Sequence, residues 1–225
     1  MVLPMGSPTS TAVKICGLTN IDQARAIAAL GVDAIGVIGV ANSPRFIKEQ
    51  QRRDLFAELN NYKPELQRVW VVADLNASEL SEALQGEGAP SVVQLHGQET
   101  PEYCANLRLQ HPNTQWWKAL RLRSQEDLHL AQTYARQVDA LLLDAWQPGQ
   151  LGGTGHRLPL NWLNQTSLEL PWWLAGGVCA EWIPELMSQL RPWGVDASSR
   201  LEISPGIKDL KLVEALVQAV HKYQG

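Results

Sequence analysis

The chain has 225 residues, 45% of them hydrophobic, which suits one domain or one small eight-fold barrel of about 200 to 250 residues. A formal charge of −4 argues against a broad basic surface for nucleic acid, yet leaves room for a local pocket that binds an anion. Cys16, Cys104 and Cys179 stand in no short spacing and the histidines are scattered. The cysteines therefore form no disulfide framework, and the pattern predicts a reduced, intracellular, metal-free protein.

Residues 1–12, MVLPMGSPTSTA, carry no basic start and no apolar run, so they read as a flexible leader rather than a secretory signal. From Val13 onward, short apolar runs alternate with helical patterns. The first is VKICG (13–17), followed by a helix over IDQARAIAAL that Thr19 or Asn20 caps and Gly31 stops. Next come AIGVIGV (34–40), a helix over FIKEQQRRDLFAEL, RVWVVAD (68–74), a helix over ASELSEALQ, and SVVQLHG (91–97). Then follow TPEYCANLRLQ as helix, WWKALRL (116–122), SQEDLHLAQTYARQ as helix, and ALLLDA (140–145). The weakest unit is the short helix in LPLNWLNQ, ahead of PWWLAGG (171–177). The chain ends with a helix over EWIPELMSQL, the run GVDASS (194–199), and a helix with Leu210, Val213, Leu216, Val217 and Val220 on one stripe.

The eight runs are near-continuously apolar, as strands buried on both faces require. Strand–helix alternation implies a parallel sheet, and eight units over this length favour an α/β single-domain (β/α)8 TIM barrel over residues 13–225. An open doubly wound sheet is the alternative. No stretch approaches the roughly 18 to 20 apolar residues of a membrane span.

In a barrel the chemistry lies where the strands end. Gly176-Gly177 and Ser198-Ser199 close the last two runs, where many barrels bind phosphate; glycines that merely turn the chain are the plainer reading. GQLGGTGH holds Gly152, Gly153, Thr154 and Gly155, a stretch that folds over an anion or simply connects. Cys16 and Asp144 close runs one and six. Together they form an acid–base pair if their surroundings separate their pKa values; alone, a strand-end cysteine is more often a small buried hydrophobe.

KICGLTNIDQA (14–24), DAIGV (33–37), SPR (43–45), VQLHG (93–97), KALR (118–121), LLLDA (141–145), GGTG (152–155), LAGG (174–177) and DASSRLEISPGIKD (196–209) stand in one order. In that order and spacing they resemble the phosphoribosylanthranilate isomerases of tryptophan biosynthesis. The resemblance implies a cofactor-free Amadori rearrangement of N-(5-phosphoribosyl)anthranilate. It makes Asp144 the general acid that opens the ribose ring and Cys16 the general base that takes the C2 proton. It places Arg45 on the anthranilate carboxylate and Gln94 and His96 along the anthranilate side, with Asp196 at the mouth. The phosphate falls to Gly153, Thr154, Gly155, Gly176, Gly177, Ser198 and Ser199. Lys118 is expected in a structural or barrel-interior ion pair, and Cys104 and Cys179 in packing. The implied partner is a small substrate with a phosphate and an anthranilate carboxylate, without nucleic acid or membrane, handled in the cytoplasm by a monomer or homodimer.

Three departures stand out. No aromatic precedes Phe46 after strand two, Arg200 replaces a usual glycine, and His156 replaces a usual lysine. An epimerase or indole-glycerol-phosphate synthase, the enzyme alternatives, would place metal ligands or Lys and Glu at the strand ends instead. A non-catalytic barrel that binds a phosphorylated metabolite would not need the acid and base.

Overall fold

The computed structural model describes residues 10–146, 157–164 and 168–223. Its barrel strands are β1 (Ala12–Cys16), β2 (Ala34–Ile38), β3 (Gln67–Val72), β4 (Val92–Leu95), β5 (Gln115–Leu122), β6 (Ala140–Ala145), β7 (Trp172–Leu174) and β8 (Gly194–Ala197). Each pairs in parallel with the next, and β8 pairs with β1. That closure rules out the open sheet. The helices are α1 (Ile21–Ala29), α2 (Glu49–Tyr62), α3 (Ala77–Ala83), α4 (Pro101–Gln110), α5 (His129–Tyr134), α6 (Leu160–Leu163), α7 (Ile183–Gln189) and α8 (Leu210–His221).

Local chemistry sets these boundaries. Asn20, not Thr19, caps α1, accepting from the Gln23 N–H at 2.9 Å. Thr100 caps α4 with Pro101 in its first turn, and Asp209 caps α8. Val213, Leu216, Val217 and Val220 of α8 are buried as the stripe predicts. Leu210 is not, because it sits at the first position of the helix.

Strand alternation sorts the side chains into two layers. Val13 and Ile15 join the layer under the helices, whereas Cys16, Ala34, Val71, Ala119 and Leu142 fill the interior. Near the strand starts, Trp117 and Trp173 stack with centroids 4.8 Å apart. Gly194 has no side chain because a Cβ would overlap the Trp173 ring. The tryptophans fill the barrel interior at the lower end, away from the mouth.

Several strands are shorter than their apolar runs. β2 stops at Ile38, β7 at Leu174 and β8 at Ala197, which leaves Gly176, Gly177, Ser198 and Ser199 in loops above the barrel. At the other end the barrel begins earlier than the composition suggests. Ala12 is already in β1, and Thr11 is buried with its hydroxyl donating to Pro192 O at 3.0 Å. After β8 the chain adds a small antiparallel hairpin, β9 (Glu202–Ser204) and β10 (Ile207–Lys208). Gln23 binds both backbone groups of Lys208, which docks the hairpin on α1. Among the described residues no helix is long and apolar enough to cross a membrane.

Candidate functional site

The strand ends surround a cavity of about 620 Å³, within the usual size of small-molecule sites. Cys16 lies on one wall, at the end of β1. Gly17 follows it with φ +81°, and a Cβ there would come within 2.5 Å of Arg45 Cδ. Glycine therefore both turns the chain and lets Arg45 lie across the strand end. Gly36, beside Cys16 on β2, leaves the space that the thiol occupies; a Cβ would stand 2.8 Å from Sγ and 3.2 Å from Lys14 Cε. The Ser198 hydroxyl donates to Cys16 O at 3.0 Å, and the Lys208 ammonium donates to that hydroxyl at 3.2 Å. The backbone carrying the thiol is thus pinned from β8 and β10.

Asp144 lines the same cavity from β6. Burial, then the nearby Asp196 carboxylate, push its pKa up to about 7, against the Ala145 N–H at 2.9 Å and the charges of Arg121 and Lys14. At neutral pH a large share of Asp144 is a neutral acid able to donate a proton. The Cys16 thiol is also pushed up, first by burial, while Lys14 and Lys208 pull it down and Asp196 pushes it up. Asp196 is itself raised by burial and restrained by Lys14. Its carboxylate lies 2.9 Å from Lys14 Nζ, and both side chains are buried.

Gln94 and His96 project from β4 into the cavity, with Gln94 Nε2 and His96 Nδ1 3.2 Å apart. Burial and the charges of Lys118, Arg121 and Lys14 push the His96 pKa down to about 3, so the ring is neutral. Gln94 Oε1 and His96 Nε2 are buried with no hydrogen-bond partner among the described residues. Both can serve a polar ligand.

Arg45 is in the cavity wall, but two of its N–H donors already hold Glu202, at 2.8 and 2.7 Å. With Lys208 on the same carboxylate, these bonds hold the Glu202 pKa down to about 2, against the upward push of burial. Gly176 and Gly177 have φ +90° and +63° and line the same cavity with Ser198, Ser199 and Arg200. The Ser198 hydroxyl is committed to Cys16 O, so what it can turn toward an anion is backbone. Gly153, Thr154 and Gly155 lie outside the described residues, as does His156.

Three features of the mouth escape the sequence pattern. Lys14 is the interior lysine, legible only as the residue two before Cys16 on the same strand face. Lys118 instead alternates with Trp117 and Ala119 to the outer layer, where it pairs with Glu99 at 3.0 Å. It is structural but not inside the barrel. Arg121, in register with Asp144, and Glu202, inside the last motif, also shape the charges. Cys104 is buried in the helix layer, its pKa pushed up to about 12 chiefly by that burial. Cys179 is buried there too.

Residues 13–219 match the family model described as N-(5'phosphoribosyl)anthranilate (PRA) isomerase. The chain is 46% identical over 206 residues to the N-(5'-phosphoribosyl)anthranilate isomerase of Nostoc punctiforme, covering 92% of this chain and 96% of that one. The phosphoribosyl anthranilate isomerase of Thermotoga maritima superposes with a TM-score of 0.84 at 26% identity, over 94% of this chain and 99% of that one. A phosphoribosyl anthranilate isomerase solved in complex with reduced 1-(o-carboxyphenylamino)-1-deoxyribulose 5-phosphate gives 0.77 at 26% identity, with the same coverage.

Proposed function

Because the chain belongs to the N-(5'-phosphoribosyl)anthranilate isomerase family of tryptophan biosynthesis, we propose that Asp144 and Cys16 are the general acid and general base of its Amadori rearrangement. The observation that carries this reading is a carboxyl group held near neutral pKa on β6 and a thiol on β1, both facing one cavity. Asp144 gives its proton to the ribose ring oxygen as the C1–O bond breaks, and the anthranilate nitrogen lone pair forms C1=N. The Cys16 thiolate removes the C2 proton, and the C–H electron pair becomes C1=C2 while nitrogen recovers its lone pair. Loss of the C2 hydroxyl proton and protonation at C1 then give the aminoketone. The protonated imine is the electron sink, so the step requires only positioned acid and base.

The product analogue bound by the structural relative carries a phosphate at one end and a carboxylate at the other. In this chain the phosphate lies against Gly176, Gly177, Ser198 and Ser199, with Arg200 beside it; Gly153, Thr154 and Gly155 are the remaining phosphate ligands of this reading. The carboxylate takes N–H groups that Arg45 does not give to Glu202. Glu202 thereby fixes the guanidinium plane as well as neutralising it. Ile38, Val40 and Pro44 line the cavity near Arg45 and pack the anthranilate ring where the family's aromatic is missing. Gln94 and His96 hydrogen-bond the substrate between its two ends, and Asp196 acts from below through Lys14. The enzyme works in the cytoplasm as a monomer or homodimer, on a small substrate without nucleic acid.

Complementation of a tryptophan auxotroph lacking only this isomerase tests the reading. The native chain restores growth and the Cys16→Ala chain does not. Failure of the native, expressed chain to complement would remove the assignment.

A further inference from the structure

Lys14 is a full cation inside the barrel, with no exposed surface, two residues before the proposed base on the same strand face. Desolvation of such a group is costly, so its charge needs a counterpart. It has one, Asp196 at 2.9 Å, placed directly beside it by the β1–β8 register. The ammonium's polar neighbours are that carboxylate and the Cys16 thiol, and Asp196 Oδ1 is buried with no hydrogen-bond partner among the described residues. Charge, not a hydrogen-bond cage, holds this lysine. Its stem shares the space above Gly36 with the Cys16 sulfur.

The proposed reaction moves one negative charge across this mouth. Cys16 begins as thiolate and ends as thiol; Asp144 begins as acid and ends as carboxylate. The buried site therefore keeps a constant net charge while the charge changes place. We propose that Lys14, paired with Asp196, is a positioning residue of the isomerisation: it is the fixed positive charge against which that negative charge is held, first on Cys16 and then on Asp144.

This rests on the acid–base reading above and adds a residue that acts through the proposed base and acid rather than on the substrate. Lys14 favours the ionised form of both Cys16 and Asp144, and Asp196 disfavours both. The two members of the pair thus act in opposite senses on both groups. The other charges facing the thiol are Lys208 on β10 and Arg45 after β2, each already on Glu202. Those facing Asp144 are Asp196 and Arg121. His96, which Lys14 also faces, is neutral and carries no countercharge. Since Asp144 is held near neutral pKa and the thiol is raised, only a minor fraction of enzyme holds acid and thiolate together. That fraction falls tenfold for each pH unit by which the thiol rises above its native value.

The test is the pH dependence of Cys16 alkylation by iodoacetamide, read on the Cys16 peptide by mass spectrometry in the full-length protein. Lys14→Met should raise the midpoint by one pH unit or more, and Asp196→Asn should lower it. At pH 7.5, kcat/KM of Lys14→Met should fall tenfold or more, in step with its midpoint. If Lys14→Met does not fold, Lys14→Met/Asp196→Asn, which leaves no lone buried charge, should still show a higher midpoint than Asp196→Asn alone. Midpoints unchanged in both single variants, or moved in one direction by both, would overturn the proposal, as would equal midpoints in the double variant and Asp196→Asn. Near-native turnover by Cys16→Ala is a different failure. It sinks the base assignment, and the alkylation midpoints still report whether Lys14 controls the thiol.

Discussion

Barrel strands β1 and β5 each carry a buried lysine paired with a carboxylate, and the two pairs are built differently. Lys118 sits in the outer layer, its ammonium hydrogen-bonded to Leu95 O, Gly97 O, Ala119 O and Glu99. Glu99 in turn accepts from the Asp74 and Gly97 N–H groups, so this knot ties β4, β5 and the segments that follow β3 and β4. Lys14 sits inside the mouth, paired with Asp196, whose Oδ1 has no hydrogen-bond partner among the described residues, next to a thiol and within range of Asp144. A fully satisfied pair fixes backbone and has nothing left to give. An incompletely satisfied pair costs stability and keeps a field available to its neighbours. The same two residue types therefore do structural work on one face of the sheet and electrostatic work on the other.

The largest effect should come from the groups that the inner pair serves. Cys16→Ala and Asp144→Asn should each lower kcat by roughly 10²- to 10⁴-fold, the range for loss of a general acid or base. Analogue binding should survive, because the proposed phosphate and carboxylate contacts lie elsewhere. Steady-state kinetics with analogue titration checks this; a near-native kcat in either variant removes that residue from its role.

Asp144→Asn should also stabilise the fold. Burial holds the native carboxyl at about 7, whereas in the unfolded chain it titrates near 4. Between those values the native state binds more protons than the unfolded state, so stability falls as pH rises through the window. The penalty is absent below pH 4, complete above pH 7, and on the order of 4 kcal/mol. Urea unfolding should show Asp144→Asn more stable than native protein at pH 8 and equal at pH 4. A gain independent of pH would mean that burial of the charge is not its cause.

The outer pair should show the converse. Lys118→Met should cost about 3 kcal/mol, the low end for a broken buried pair, because Glu99 keeps its backbone donors. The Cys16 alkylation midpoint should stay put. A moved midpoint with little loss of stability would erase the distinction between the two lysines.

Much of this was legible in the sequence because it depends on strand ends. Apolar runs locate the strands, and the polar residues that close them, Cys16, His96 and Asp144, reach the mouth. Less legible is what depends on contacts between distant motifs. Nothing in SPR shows that Arg45 will be shared with Glu202, some 157 positions away. Nor does DASS show that the Ser198 hydroxyl is committed to Cys16 O. The lysines were hardest: KALR and VKIC both put a lysine in an apolar strand, and only the strand's face decides between core knot and mouth. Period two from Cys16 would have placed Lys14 inside; the same period from Trp117 and Ala119 would have placed Lys118 outside. Gly153, Thr154 and Gly155 lie outside the described residues.

At the phosphate end the effect should be smaller and confined to binding. Gly177→Val should raise KM about tenfold, or about 1.4 kcal/mol. The added side chain stands where backbone must approach the anion, and φ +63° also disfavours a branched residue. Inorganic phosphate should compete with substrate for the native enzyme and do so less well for the variant. Unchanged KM together with unchanged phosphate inhibition would reduce Gly176-Gly177 to a turn.

The smallest effect should come from the end of the molecule opposite both the thiol and Lys14. β1 runs from Ala12 to Cys16, four residue steps or about 13 Å, so the segment before Ala12 leaves the barrel at the closed end, below the stacked tryptophans. Thr11 anchors that end through Pro192 O, and the Ala12 N–H donates to Trp193 O. Deletion of residues 1–9 keeps both anchors. Steady-state kinetics of the shortened chain should give kcat/KM within about twofold of the full chain. Deletion through Thr11 should instead lower the melting temperature, because the buried hydroxyl contact and the first strand bond go with it, while kcat stays near native in protein that remains folded. A large activity loss in the shorter deletion, with the melting temperature unchanged, would show that the leader acts on the mouth or on another subunit, and that the closed end is not as remote from the chemistry as the barrel makes it.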